Sequence, residues 1–457
     1  LRALREGSLS AADTTLNDAA IDVLHAACRL VQEQESSDSE DPLRDARNLY
    51  DFVERAVWPE PNFEERDEVL ADVAFSGWRV ALIRGTAHDA EGWRRRFLSA
   101  ARSVSTLQIA VGDLLTTSSQ QRLEKLTPSL PQGSQILLYA SDVLLQRNEA
   151  DPKRVADHSA LLYESLTELE HEFLRSDESH YFLGLFAMIA GTANRMLFRR
   201  EEARRWFHRA ESNFSLIRNG AAQIARLAYQ RLALKIEERQ FDEVLRQALR
   251  CGDVFMQLEL VDDAVKCQFL YGIALVETLR VREAVLIFEN ICRTLDPNRN
   301  LKLLAEATGN LAQYHLLLGN PVEALTHAQR ALPLLQRSDD RVGLAKLRWL
   351  TANIIREQGN LVEAAEAYRA ALTACDQIGI RNDSASIRLA LAEILLDLGR
   401  SEEAEREIRA ALPIIEEEKM VPEGYAALAL LQESLRRRKI DRQALRNLHG
   451  YFQDEKS

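Results

Sequence analysis

Apolar residues recur at spacings of three and four along most of the chain, the period of a helix with one buried face. The clearest stretch surrounds Gly319. Leu311, Ala312, Tyr314, His315, Leu316, Leu317 and Leu318 fill the helix before it, and Ala324, Leu325, Ala328, Ala331, Leu332 and Leu335 form the stripe of the helix after it. The pattern returns around Gly359 and Gly399. A glutamate-alanine pair follows each glycine at four residues (Glu323 and Ala324, Glu363 and Ala364, Glu403 and Ala404), and an alanine-leucine pair follows at twelve (Ala331 and Leu332, Ala371 and Leu372, Ala411 and Leu412), so the copies share a forty-residue period. A period of this length predicts two amphipathic helices that cannot bury their apolar faces alone and stack on the next pair. Glycine supplies the left-handed backbone that ends the first helix, and the alanines let paired helices approach.

The register extends in both directions. Glu202 and Ala203 stand 41 residues before Glu243 and Val244; Glu283 and Ala284 follow forty later, and Gln443 and Ala444 come after the clear copies. The glycine is lost in the outer copies, where Arg199, Arg239, Leu279 and Lys439 stand near the turn. Before residue 181 the period fades. Helices are expected there at 10–34, 42–57, 63–84, 93–115, 135–147 and 153–174, with a turn over 85–92 and a stiff corner at Trp58, Pro59, Glu60 and Pro61. The acidic tract 35–41 reads as a connection, and 116–133, with Pro128 and Pro131, as an irregular boundary. The expected organisation is a divergent helical region over 1–133, a degenerate hairpin over 134–180, and a repeat array with a C-terminal cap over 181–457. Tyr451 and Phe452 belong to that cap.

The triplets Ala312, Gly319, Ala331; Ala352, Gly359, Ala371; and Ala392, Gly399, Ala411 resemble the tetratricopeptide repeat family. The likeness is strongest over 300–416 and extends over 181–453. Family repeats usually span about 34 residues. The excess implies longer helices, longer turns, or both, as in the repeats of kinesin light chains and of bacterial regulators. The resemblance implies an all-α fold, a right-handed superhelical solenoid of antiparallel helix pairs, with the first helix of each pair lining the concave surface. It also implies a protein or peptide partner. On that surface the candidate partner-binding residues are Asn310, Gln313, Asn320, Asn353, Arg356, Asn360, Glu393 and Arg400. One family subgroup grips a C-terminal carboxylate; Arg356 and Asn360 match two of its positions, whereas Leu317, Glu357 and Asp397 replace the asparagine or basic residues required elsewhere. Asn353, Arg356 and Asn360 share a helical face suited to a peptide backbone or an acidic side chain.

Charge and candidate chemistry narrow the classes. Among 457 residues, 58 basic and 70 acidic groups leave a net charge of -12, which weighs against nucleic acid as a partner. Trp206 follows Arg204 and Arg205, but Glu201 and Glu202 lie one turn away and make that surface an ordinary charged one. Five scattered cysteines point to a reducing, cytoplasmic setting, and no apolar run approaches the roughly 20 residues that cross a bilayer. Cys251 occupies the small-residue position of Ala331 and Ala371, so it reads as a buried thiol. Glu168 and His171 have the spacing of a di-iron segment without a second copy, and neither a zinc HExxH array nor a GxSxG or phosphate-binding loop occurs. No enzyme activity, cofactor or metal is expected.

The function expected is a peptide- or protein-binding scaffold, the sensor or adaptor region of a bacterial regulator. Because the sequence starts at Leu1, an effector domain N-terminal to it is part of that expectation. The alternatives are a structural oligomerisation element and an all-helical enzyme with a cryptic pocket at 116–180.

Overall fold

The computed structural model describes residues 43–56, 58, 63–116, 132–147, 151–168, 176–298, 300–418 and 420–438, together with Leu24 and Ala27. Among the described residues there are nineteen α-helices and no strand. The sequence expectations at 10–34 and 35–41, His171 of the di-iron spacing, and the cap with Tyr451 and Phe452 lie outside those residues, apart from Leu24 and Ala27.

In chain order the helices are α1 (Arg44–Arg55), α2 (Phe63–Arg84), α3 (Ala87–Ala101), α4 (Ser105–Thr116), α5 (Gln132–Arg147), α6 (Pro152–Glu168) and α7 (Ser176–Met196). They continue as α8 (Arg200–Phe214), α9 (Ala221–Glu237), α10 (Phe241–Gln257), α11 (Val261–Glu277), α12 (Val281–Thr294) and α13 (Leu301–Leu317). The last are α14 (Pro321–Arg337), α15 (Arg341–Glu357), α16 (Leu361–Ile378), α17 (Arg381–Asp397), α18 (Ser401–Glu417) and α19 (Val421–Arg438). The chain divides into two compact units, Leu1–Cys267 and Gln268–Ser457. The boundaries expected at 133 and 180 both fall inside the first.

The second unit explains the long period. Helices α13, α14, α15, α17 and α18 each have 17 residues. Three-residue turns join α13 to α14, α14 to α15, α15 to α16 and α17 to α18. The excess over the usual repeat therefore lies in the helices. Each turn closes in the same way: Gly319 N–H donates to the Leu316 carbonyl at 2.9 Å, and Asn320 N–H reaches back to the His315 carbonyl at 2.9 Å. This doubly bonded C-terminal turn needs a left-handed residue at its centre, and Gly319, Gly359 and Gly399 have φ of 75°, 83° and 73°. The turns between one pair and the next use the same device at Asp339 and Gly379, with φ of 50° and 81°.

Where the glycine is lost, the conformation persists. Leu279 has φ of 63° in the second unit, and in the first Phe198 and Arg239 have φ of 58° and 60°. The marker alanines pack as their size requires. Ala284, Ala324, Ala364 and Ala404 are all fully buried in the second unit, as are Ala203 and Val244 at the same register in the first.

In the first unit a single core runs from Leu24 to Leu234, so the divergent N-terminal helices and the first repeat pairs share it. Trp78 and Trp93 lie inside this core, with the Trp78 ring edge-on to Tyr181 at 5.1 Å and Trp93 edge-on to Tyr50 at 5.8 Å. Polar contacts fix the same helices. From the loop between α8 and α9, Asn219 Nδ2 donates to the carbonyls of Ala81, Leu82 and Gly85 at 3.0, 3.1 and 2.9 Å, which covers the C-terminus of α2.

The expected turn over 85–92 and single helix over 93–115 are corrected. Helix α3 already starts at Ala87, because Thr86 and Asp89 form a reciprocal cap: Asp89 N–H donates to Thr86 Oγ1 and Thr86 N–H to Asp89 Oδ2, both at 3.1 Å. The chain then breaks between Ala101 and Ser105, where Ser103 and Val104 N–H bond back only three residues, to Ala100 and Ala101 at 3.0 and 3.2 Å. Phe97, Val104 and Leu107 are buried on both sides of the break, so apolar periodicity does not reveal it.

Candidate functional site

The first helix of each pair in the second unit carries the face on which the candidate residues were expected. It holds a half-open cavity of about 360 Å³ lined by Phe269 of α11, by Gly309, Asn310 and Gln313 of α13, and by Lys346 and Leu350 of α15. Glu306 and Asp340 add carboxylates, and Leu335, Val342 and Leu347 add apolar wall. The helical spacing places Glu306, Gly309, Asn310 and Gln313 on one side of α13. Asp340 is engaged as the N-cap of α15, its Oδ1 accepting from Gly343 N–H at 2.8 Å. Polar and apolar side chains share the lining, a combination that can hold a chain segment.

The eight candidate residues fall into three sets. Asn310 and Gln313 line the cavity. Asn353, Arg356 and Glu393 form a second cluster, in which Arg356 Nη1 pairs with Glu393 Oε2 at 2.9 Å and the Tyr368 hydroxyl donates to Asn353 Oδ1. Burial lowers the affinity of the Arg356 guanidinium for its proton, but Glu393 and Tyr368 together outweigh this and the net shift is upward. Arg356 is therefore already paired, and an acidic ligand there would compete with Glu393. Asn320, Asn360 and Arg400 form the third set, each following a left-handed glycine as the N-cap residue of α14, α16 or α18. None of the three makes a side-chain cap bond. Arg400 instead turns onto Glu403, with Nε and Nη2 each 2.6 Å from a carboxylate oxygen.

Sequence reasoning passed over Phe269, Gly309, Lys346 and Leu350. One signal was present: Phe269, Gly309 and Trp349 stand forty residues apart, so Gly309 interrupts a column of aromatic residues. Tyr368 as the partner of Asn353 had no such signal, because the contact joins two helices through packing.

Other clusters are structural in geometry. In the first unit, Glu91 of α3 accepts from Arg94 Nε at 3.1 Å and from Arg226 Nη1 of α9 at 2.8 Å, and Arg226 Nη2 reaches Asp263 of α11 at 3.2 Å. Burial pushes the Glu91 carboxyl up, but Arg94 and Arg226 override it and hold Glu91 well below the usual carboxylate range. Cys251 is buried, as its position in the repeat register led us to expect, and so are Cys267 and Cys375. Among the described residues no group of three or more His, Cys, Asp or Glu side chains is arranged to hold a metal ion, and no helix is long and apolar enough to cross a membrane.

Two family profiles match the second unit, both described as tetratricopeptide repeat, over residues 303–377 and 356–421. No curated protein matches the chain. Solved structures that resemble it include a Rap protein complexed with competence and sporulation factor, with 14% identity, a TM-score of 0.47, and coverage of 84% of this chain and 99% of that one. The apo form of the quorum sensor NprR from B. thuringiensis has 13% identity and a TM-score of 0.46, covering 75% and 97%. A signal transduction ATPase with a tetratricopeptide repeat sensor from Pyrococcus horikoshii has 12% identity and a TM-score of 0.44, covering 97% and 88%.

Proposed function

We propose that the tetratricopeptide repeats of residues 303–421, with the helix pair before them, form a scaffold that binds an extended segment of a protein or peptide along the first-helix face. The observation that carries this reading is the cavity between α13 and α15, where the carboxamides of Asn310 and Gln313 stand beside apolar wall from Phe269 and Leu350. Carboxamides donate and accept, which suits the alternating N–H and C=O groups of an extended backbone. The neighbouring Asn353, Arg356 and Glu393 supply further polar contacts along the same face. On this reading the chain is the sensor or adaptor part of a regulator, and capture of the segment is the event it reports to an effector.

The test is capture of partners from the source cell by the intact chain, repeated with Asn310→Ala and Gln313→Ala combined. Loss of an interfacial hydrogen-bonding pair is expected to weaken the partner by about tenfold or more. Unchanged affinity for every captured partner would remove the cavity from the binding face.

A further inference from the structure

Resting on that reading, we infer that the cavity is a slot for one aromatic side chain of the bound segment, left open by Gly309. Successive first helices of the second unit place Phe269, Gly309, Trp349 and Leu389 at one position of the repeat register. Three of the four are large apolar residues. The fourth lacks a side chain, and the cavity lies on it.

Packing does not demand glycine at this position. A Cβ built on Gly309 meets nothing within 4 Å, whereas on Gly272, in the preceding first helix, it would stand 2.4 Å from the Phe288 ring. Nor does the backbone demand it, since Gly309 lies inside α13 and is not among the residues with positive φ. Glycine is a poor helix former, so an unforced glycine within a helix that lines a cavity is explained by the room it leaves.

The walls select the occupant. Phe269 offers a ring for an edge-to-face contact, and Lys346 an ammonium group for the face of an aromatic ring. Leu350 adds apolar surface to the lining, while Asn310 and Gln313 bring carboxamides that would bond the backbone on either side of the inserted residue. A volume of about 360 Å³ is near the lower end of small-molecule pockets, which suits one large side chain and its flanking peptide groups. Glu306 and Asp340 in the lining disfavour an acidic residue as the inserted one.

The test uses the full chain and three probes, N-acetyl-tryptophanamide, N-acetyl-leucinamide and N-acetyl-alaninamide, with binding followed by ligand-observed NMR. The tryptophan probe is expected to bind at least about tenfold more tightly than the alanine probe, and more tightly than the leucine probe. Gly309→Trp, which fills the slot from within, is expected to abolish that binding, and Gly309→Ala, which narrows the slot by one methyl group, to weaken it by a smaller factor. Should Gly309→Trp fail to fold, Gly309→Cys supplies the second measurement: its alkylation rate is expected to fall at least about fivefold when the tryptophan probe saturates the chain. Equal binding of the three probes, persistence of binding in a folded Gly309→Trp chain, or an unprotected Cys at 309 overturns the inference. The two readings separate on the captured partner. If Asn310→Ala with Gln313→Ala weakens it while Gly309→Trp does not, the slot fails and the peptide-binding face stands; if neither changes it, both fail.

Discussion

Gly272 and Phe288 occupy one space: a Cβ on Gly272 would lie 2.4 Å from Phe288 Cε2, and the Phe288 ring is fully buried. The two residues stand sixteen apart on the two helices of one pair, as do Ala312 and Ala328, Ala352 and Tyr368, and Ala392 and Ile408 in the later copies. In the first unit Gly191 faces Phe207 at the same offset, and a Cβ built on Gly191 would lie 2.5 Å from Phe207 Cδ1. Close packing makes such a pair sensitive to a single methyl group.

Gly272→Ala is therefore expected to destabilise the chain by about 1–3 kcal/mol, despite the better helix propensity of alanine. Adding Phe288→Leu should recover part of the loss, giving a favourable coupling in a double-mutant cycle measured by urea unfolding. Additive losses would show that the cost of the added methyl group does not arise from the Phe288 ring.

Leu279 holds a left-handed turn with φ of 63° while 89% exposed. A side chain in that region costs roughly 1–2 kcal/mol, and its removal gives back roughly 0.4–1 kcal/mol through the freer unfolded chain. Leu279→Gly should therefore raise stability by up to about 1 kcal/mol, and Gly319→Ala, the opposite change at the next copy, should lower it by a similar amount. Denaturant midpoints of the two variants would check both signs.

The His315 and His327 rings stack at 5.1 Å between α13 and α14. Burial first, then His315 and Arg330, keep the His327 imidazole below its ordinary value, against the opposing effect of Glu289. The folded chain thus binds fewer protons than the unfolded chain between the lowered pKa and about 6.5. Stability should fall as the pH drops below about 6.5 and stop falling beneath the folded pKa. His327→Gln should flatten this part of the profile, as read from unfolding midpoints across the acid range.

Glu91, with a side chain only 2% exposed, joins α3 to α9 through Arg226. Glu91→Gln would leave Arg94 and Arg226 without their shared counter-charge, at an expected cost of about 3–5 kcal/mol. Because its carboxyl is held low in the folded state, its contribution is present above the ordinary glutamate value and is lost as the pH falls through the folded pKa. Thermal unfolding of the variant should show both the lower midpoint and a weaker response to acid.

Sequence alone determined the helix pairs, their forty-residue register and the burial of Ala324, Ala364 and Ala404, because helical period and side-chain size are local properties that each copy repeats. It also placed Asn310 and Gln313, three residues apart, on one face of a helix. Tertiary structure decided the rest. Left-handed backbone at Phe198, Arg239 and Leu279 is imposed by stacking against the preference of the residue, so no composition signal marks it. The break between α3 and α4 escapes periodicity because buried residues lie on both sides of it. The pairing of Arg356 with Glu393, and of Tyr368 with Asn353, depends on how separate helices pack, as does the cavity over Gly309. A glycine within a helix has one meaning beside Phe288 and another where nothing lies within 4 Å, and only the packing around it distinguishes a close contact from an open slot.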